Sequence, residues 1–281
     1  MIQFLNGLQF AMLLFLLSVG LSIVLGLMNF INLAHGTLYM LGAYFGVSIA
    51  AVTNSFWLAL IIAPLATALV GMGLYQFLLR RLGGGSPLRQ ILLTFGVVYV
   101  GVEIVRIIWG NGSYSIDVPE VLADQIAVLG TPYPAYRLFI IGLGLATMIV
   151  LFLLLERTRI GAIVRASVDD RESAECIGID TQRLFLAVFG LGCLLAGLGG
   201  VVAAPVLSVY PGMDFVVLIY VLMIVVIGGP GSLPGAALGS LLVGMADTYG
   251  RVFIPQFSAF LIYVVAAVFL LLRPQGFVAI R

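Results

Sequence analysis

Residues 4–27 read "FLNGLQFAMLLFLLSVGLSIVLGL" and carry no charged side chain. A helix of roughly 20 mostly apolar residues spans the hydrocarbon core of a bilayer. A helix that is apolar on every face belongs inside a large core or a membrane. Similar runs follow at 31–53, 56–79, 90–109, 137–155, 184–204, 214–228, 235–250 and 256–272. Two of them, 214–228 and 235–250, are short. They flank "GGPGSLPG" (228–235), whose Gly and Pro cannot continue a helix. Whether these two are full crossings or half-helices, the expected fold class is all-α. It is a polytopic membrane helix bundle of about 8–10 spans with broken helices.

Composition agrees. The 281 residues are 62% hydrophobic and 9% charged, with a mean hydropathy of +1.21. A soluble domain averages roughly 45–50% apolar and about 25% charged. The net charge is +1 and every basic residue is Arg, so no basic face for nucleic acid is present. Cys176 falls in a charged stretch and Cys193 in an apolar one. Their spacing fits neither a metal site nor a disulfide framework. The apolar start lacks a basic leader region, so it reads as the first membrane segment and not as a signal peptide.

Arg placement gives orientation. Arg80, Arg81 and Arg89 lie in one loop, and Arg157, Arg159, Arg165, Arg171 and Arg183 in another, while Arg273 and Arg281 lie in the tail. If these three regions share a side, it holds ten of the 13 Arg and is the cytoplasmic side. The expected location is a bacterial-type plasma (inner) membrane, multi-pass. Nine spans then put the N-terminus outside and the C-terminus in the cytoplasm. The 110–136 loop becomes extracytoplasmic, and its Pro, Gly and alternating apolar residues suggest a small hairpin-like cap.

Residues 156–183, "ERTRIGAIVRASVDDRESAECIGIDTQR", hold five Arg and six acidic residues. Asp169 is placed to cap a helix, with Glu172 as capping-box partner. Gly178 sits where that helix would end in the left-handed conformation. Ile160, Ile163, Val164 and Val168 recur at helical spacing opposite Arg165 and Arg171. Two short amphipathic helices on the cytoplasmic face would lie on lipid headgroups or dock on a soluble partner.

This stretch resembles the cytoplasmic coupling loop of ABC-importer permeases, and more narrowly that of the LivH-type branched-chain amino acid permeases. The family pattern falls on Gly161, Arg165, Ala166, Asp169, Asp170, Ala174, Gly178 and Ile179. "NFINLAHGTLYMLGAY" (29–44) is similar to the family's N-terminal signature, and "GGPGSLPGAALGSLLVG" (228–244) to its C-terminal one. The resemblance implies a single permease domain over 1–281, with 156–183 as the ATPase-coupling loop. It implies a partner permease (a LivM-like paralogue or a second copy), two cytoplasmic ATPases and an extracytoplasmic substrate-binding protein. Membrane lipid is the remaining partner. Amino acids, branched-chain first, are the implied cargo. Urea, short amides or other small solutes are the alternative within the family.

Asn29, Asn32 and His35 follow a three-residue spacing and would share one helical face. Three polar groups facing lipid would be costly, so they pack against protein or line a path. Path lining or a helix break is the functional reading for Asn29, Asn32, His35 and Gly36. The same reading covers Gly228, Gly229, Gly231, Ser232 and Gly235. "NLAHGTLYMLGA" and "SLPGAALGSLLVG" form a weak internal echo, as in carriers built from repeated halves. An ion-coupled secondary carrier would need an ionisable relay in its core. Glu103 with Arg106, and Asp247 with Arg251, are spaced to neutralise one another. Every membrane carboxylate is therefore expected to have an Arg partner, which disfavours that rival. No Lys means no G-x-x-x-x-G-K-[ST] phosphate loop. The chain is expected to be no enzyme, with no catalytic residue, metal or cofactor of its own and ATP held by partner subunits.

Overall fold

The computed structural model of the protein describes residues 1–82, 86–128, 130–273 and 276–277. Arg281, counted above for the charge bias, lies outside the described residues. Long helices occupy all nine expected runs. They are α1 (Ile2–Met28), α2 (His35–Thr53), α3 (Phe56–Phe77), α4 (Pro87–Trp109) and α5 (Ala135–Arg157). Two short helices follow, α6 (Arg159–Asp169) and α7 (Arg171–Cys176). The chain closes with α8 (Thr181–Ala203), α9 (Met213–Gly228), α10 (Leu233–Phe253) and α11 (Ser258–Leu272). Six of them, α1–α5 and α8, are long and apolar enough to cross a membrane. The protein is a multi-pass helical membrane bundle.

α1 is the central post. Residues from Ala11 to Val24 are buried without interruption, and α1 packs against α10, α8, α5 and α9. Glycines set how closely these helices approach: Gly20 lies against Gly192, and Gly244 against Ala11. Some polar residues inside the bundle bond one another or spare carbonyls. Ser18 and Ser240 share a hydrogen bond (3.2 Å), and the Tyr136 hydroxyl donates to the Val202 carbonyl (2.8 Å).

The two ends differ. At one end the Arg80 guanidinium, after α3, donates to Gln182 at the start of α8. At that end too, α5 passes into α6, and the Phe277 N–H donates to the Ile227 carbonyl at the end of α9 (2.8 Å). This is the basic end. At the opposite end a two-stranded antiparallel ribbon, β1 (Gln125–Val128) with β2 (Thr131–Pro134), agrees with the expected hairpin-like cap. Asn6 there accepts from Arg137 (2.7 Å) and from the Tyr133 hydroxyl (3.2 Å), fixing the starts of α1 and α5 together.

One boundary departs from expectation. The run 31–53 becomes helical only at His35, because Asn29 takes the left-handed conformation (φ 47°) and ends α1. Asn tolerates that conformation better than most residues.

Candidate functional site

Two short helices join α5 to α8 at the basic end. The Thr158 hydroxyl caps α6 by accepting from the Gly161 N–H (3.3 Å) and donates to the Leu154 carbonyl (2.5 Å). Gly161 passes so close to the end of α5 that a Cβ there would collide with the Leu155 carbonyl. Arg165 turns back along α6, donates to that same carbonyl and lies 3.5 Å from Glu156. The α5–α6 corner is thus fixed by a cap, a missing side chain and a guanidinium. A Thr placed before an amphipathic run, as Thr158 is, is a cap signal visible in the sequence.

Asp170 breaks the chain between α6 and α7 in an extended conformation (φ −148°). It caps α7 by accepting from the Ser173 N–H (3.1 Å) and from the Ser173 hydroxyl. Those bonds, the hydroxyl's first, hold its carboxyl below the usual carboxylate range. This corrects the expected cap by one residue. Asp169 is the last residue of α6, its side chain outside the described set, and Ser173 rather than Glu172 faces the cap. Gly178 (φ 90°) ends α7 as expected: the Ile179 N–H reaches the Ala174 carbonyl (3.1 Å) and the Gly178 N–H the Glu175 carbonyl (3.0 Å). This is a Schellman stop. Val164, Ser167 and Ala174 are buried toward the bundle, whereas Ala166 and Glu172 are exposed. Ile160, Ile163, Val168 and Ile177 are also exposed, Ile177 at 76%. Exposed apolar side chains on two short, capped helices are therefore presented at the basic end.

The second constellation sits at the centre. Asn29 lies outside both helices, so Asn29, Asn32 and His35 do not share the expected helical face; 29–34 is a non-helical segment that turns back into the bundle. His35 donates from Nε2 to the Leu17 carbonyl (2.9 Å), and the Ile31 N–H donates to the Gln90 side chain (3.2 Å). Leu17 lies near the middle of α1, and Gly192, beside Gly20, at the midpoint of α8. α2 therefore begins halfway through the bundle. α9 begins beside it. The Thr37 hydroxyl donates to Asp214 Oδ2 (3.1 Å), and a Cβ on Gly36 would lie 2.6 Å from the Asp214 carbonyl oxygen.

Asp214 overturns one expectation. Glu103 and Arg106 pair (2.5 Å), as do Asp247 and Arg251 (2.8 Å). Asp214 instead has a hydroxyl as its partner. It is 1% exposed, and its Oδ1 has no hydrogen bond among the described residues. Its place, two residues after the Gly212 that precedes α9, was visible in the sequence.

The "GGPGSLPG" segment forms the α9–α10 turn. Gly229 and Gly231 have positive φ, and Ser232 caps α10 by accepting from the Gly235 N–H (2.9 Å). The Gly231 N–H donates to the Ser22 carbonyl (3.0 Å), and Gly228 lies against Gly235. This turn is roughly two helical turns nearer the basic end than His35. The expected path residues thus fall into two places. The internal echo fails for the same reason: the helix start that meets α2 belongs to α9, not α10. A cavity of about 410 Å³ separates the turn from α6, lined by Gly26, Leu155, Glu156, Val168, Ser232 and Pro234.

A polytopic bundle with broken helices at its centre and a structured, outward-facing helix pair at one end defines a solute-moving membrane protein. Residues 3–272 match the family described as branched-chain amino acid transport system / permease component, and the chain belongs to it. It is 27% identical to the high-affinity branched-chain amino acid transport system permease protein BraD of Pseudomonas aeruginosa, over 98% of this chain and 94% of BraD. It is 25% identical to LivH of Escherichia coli, a protein of the same description, over 98% and 94%. LivM of Escherichia coli is 28% identical over 93% of this chain and 66% of LivM. Among solved structures, a chain of PsaBC from Streptococcus pneumoniae in complex with Fab has the same fold. The TM-score is 0.50 at 14% identity, covering 95% of this chain and 89% of that one.

Proposed function

We propose that this chain is the membrane-spanning permease subunit of an ATP-driven importer for branched-chain amino acids. The similarity to BraD and LivH over 98% of the chain carries the reading, since it includes the 156–183 loop. That loop is the coupling surface. Two cytoplasmic ATPases serve the permease pair; one docks on α6 and α7 of this chain, and the capped, Schellman-stopped α7 passes its movement to α5 and α8. Residues Gly161, Arg165, Asp170, Ala174 and Gly178 give the surface its shape; Ala166, Asp169 and Glu172 belong to the same segment. The basic end faces the cytoplasm, as does the C-terminus, following the positive-inside rule.

A LivM-like paralogue completes the membrane pair. The likeness of this chain to both LivH and LivM supports two related subunits. An extracytoplasmic binding protein delivers substrate to the opposite end. A cavity of about 780 Å³ opens there between the α2–α3 turn and residues 114–121. ATP is bound by the partner ATPases and this chain holds no cofactor.

The test is co-purification in detergent with the ATPases of the same cell. Wild type should recover an ATPase. A variant carrying Asp169→Ala, Asp170→Ala and Gly178→Val should reach the membrane, lose the ATPase and lose uptake. Purification alone, with uptake in liposomes driven by an ion gradient, would replace this reading with the ion-coupled carrier.

A further inference from the structure

The centre of the bundle holds features that the coupling surface does not use. α2 and α9 both begin there, and neither start is capped by a side chain. At the start of α2 the His35 N–H reaches the Asn32 carbonyl (3.4 Å) and the Leu38 N–H the Ala34 carbonyl (3.0 Å), leaving the first-turn N–H groups of Gly36 and Thr37 without a backbone acceptor among the described residues. Such groups, at the positive end of a helix dipole, favour a carboxylate. Asp214 lies beside them with one oxygen on the Thr37 hydroxyl and the other without a partner. Asn32 Oδ1, on the segment leading into α2, is likewise buried and unpartnered.

An ionised carboxylate in a membrane interior is strongly disfavoured without a cation or several donors. No ion pair to Asp214 occurs among the described residues, in contrast to Glu103 and Asp247. An anionic acceptor and a set of N–H donors on adjoining residues are complementary to a zwitterion.

We propose that Asp214 and the first turn of α2 hold the headgroup of the transported amino acid at mid-membrane. The α-ammonium group takes the unpartnered oxygen of Asp214, and the α-carboxylate takes the N–H groups of Gly36 and Thr37. The site is closed here, with the Asp214 carbonyl against Gly36, so α2 and α9 part to admit substrate. The proposal rests on the amino acid permease reading. It adds a specificity-determining residue inside the membrane.

The experiment uses the whole importer, reconstituted in proteoliposomes with its partner permease, ATPases and binding protein, and reads ATP-driven leucine uptake. Asp214→Asn keeps the shape and removes the charge. Uptake should fall at least tenfold, while ATPase co-purification and membrane level stay as in wild type. Asp214→Glu should recover a substantial part. Thr37→Val, which leaves the charge but releases its orienting bond, should raise the half-saturating concentration severalfold.

Uptake by Asp214→Asn within twofold of wild type would overturn the proposal. If Asp214→Asn does not assemble, an unchanged half-saturation in Thr37→Val overturns it. Failure of wild type itself to take up leucine would instead remove the reading of the chain as this importer's permease.

Discussion

Asp170 is an exposed residue whose ionised form does structural work. Its carboxylate accepts from the Ser173 hydroxyl and N–H, and both bonds favour the charged state. A depressed folded value means the cap is complete above the ordinary Asp value, about 3.9, and is lost as pH falls through the lower folded value. A carboxyl-carbon NMR titration should therefore place Asp170 below a free Asp, and Ser173→Ala should move it back up. Gly161 gives a steric counterpart. Adding one methyl with Gly161→Ala drives it into the Leu155 carbonyl, so α6 must swing away from α5. Reduced ATPase recovery, at unchanged membrane level, is the expected outcome. An Asp cap and the left-handed Gly178 were legible, because helix stops and starts are local events; Gly161 was marked only by the family resemblance, since its contact with Leu155 is set by the turn between two helices. Which of two adjacent Asp residues serves as the cap was not legible. That depends on where α6 ends, and α6 ends where its buried side, Val164 and Ser167, runs out of bundle to cover.

At the scale of elements, α6 has marginal length for a helix standing alone, since short helices in water are held by packing and caps. Thr158→Ala removes the cap and should destabilise α6 by about 1 kcal/mol. Amide exchange would report it as faster exchange confined to 159–169. Helix positions were readable because apolar runs of membrane length are unambiguous. The depth at which a helix starts was not. "NFINLAHG" reads as the beginning of a span, yet the backbone turns at Asn29 and the helix waits until His35. Non-helical backbone at membrane depth requires protein partners for its polar groups. Those partners are the Gln90 side chain and the Leu17 carbonyl, far away in sequence. Asp214 escaped notice for a related reason: its companion, Thr37, lies 177 residues away and carries no charge.

For the whole molecule, sidedness can be read with the native cysteines. Cys176 is exposed on α7 at the basic end, and Cys193 is buried in α8. A membrane-impermeant maleimide should label Cys176 in inside-out vesicles and leave it untouched in right-side-out ones, with Cys193 unlabelled in both. Bound ATPase should protect Cys176. Labelling from the outside would invert the assignment drawn from Arg placement.

The packing of α1 along α10 also has a consequence in time. Ser18 and Ser240, hydrogen-bonded within that contact, are 222 residues apart in the chain. At about 5–20 residues per second of synthesis, α1 enters the bilayer ~10–40 s before its main neighbour exists. During that interval Ser18 and Ser22 have no final surroundings. The nascent protein is then open to lipid, chaperones and proteases, and its last third is what ends that exposure. Lesions in α10 should thus appear first as loss of protein, before any defect in transport.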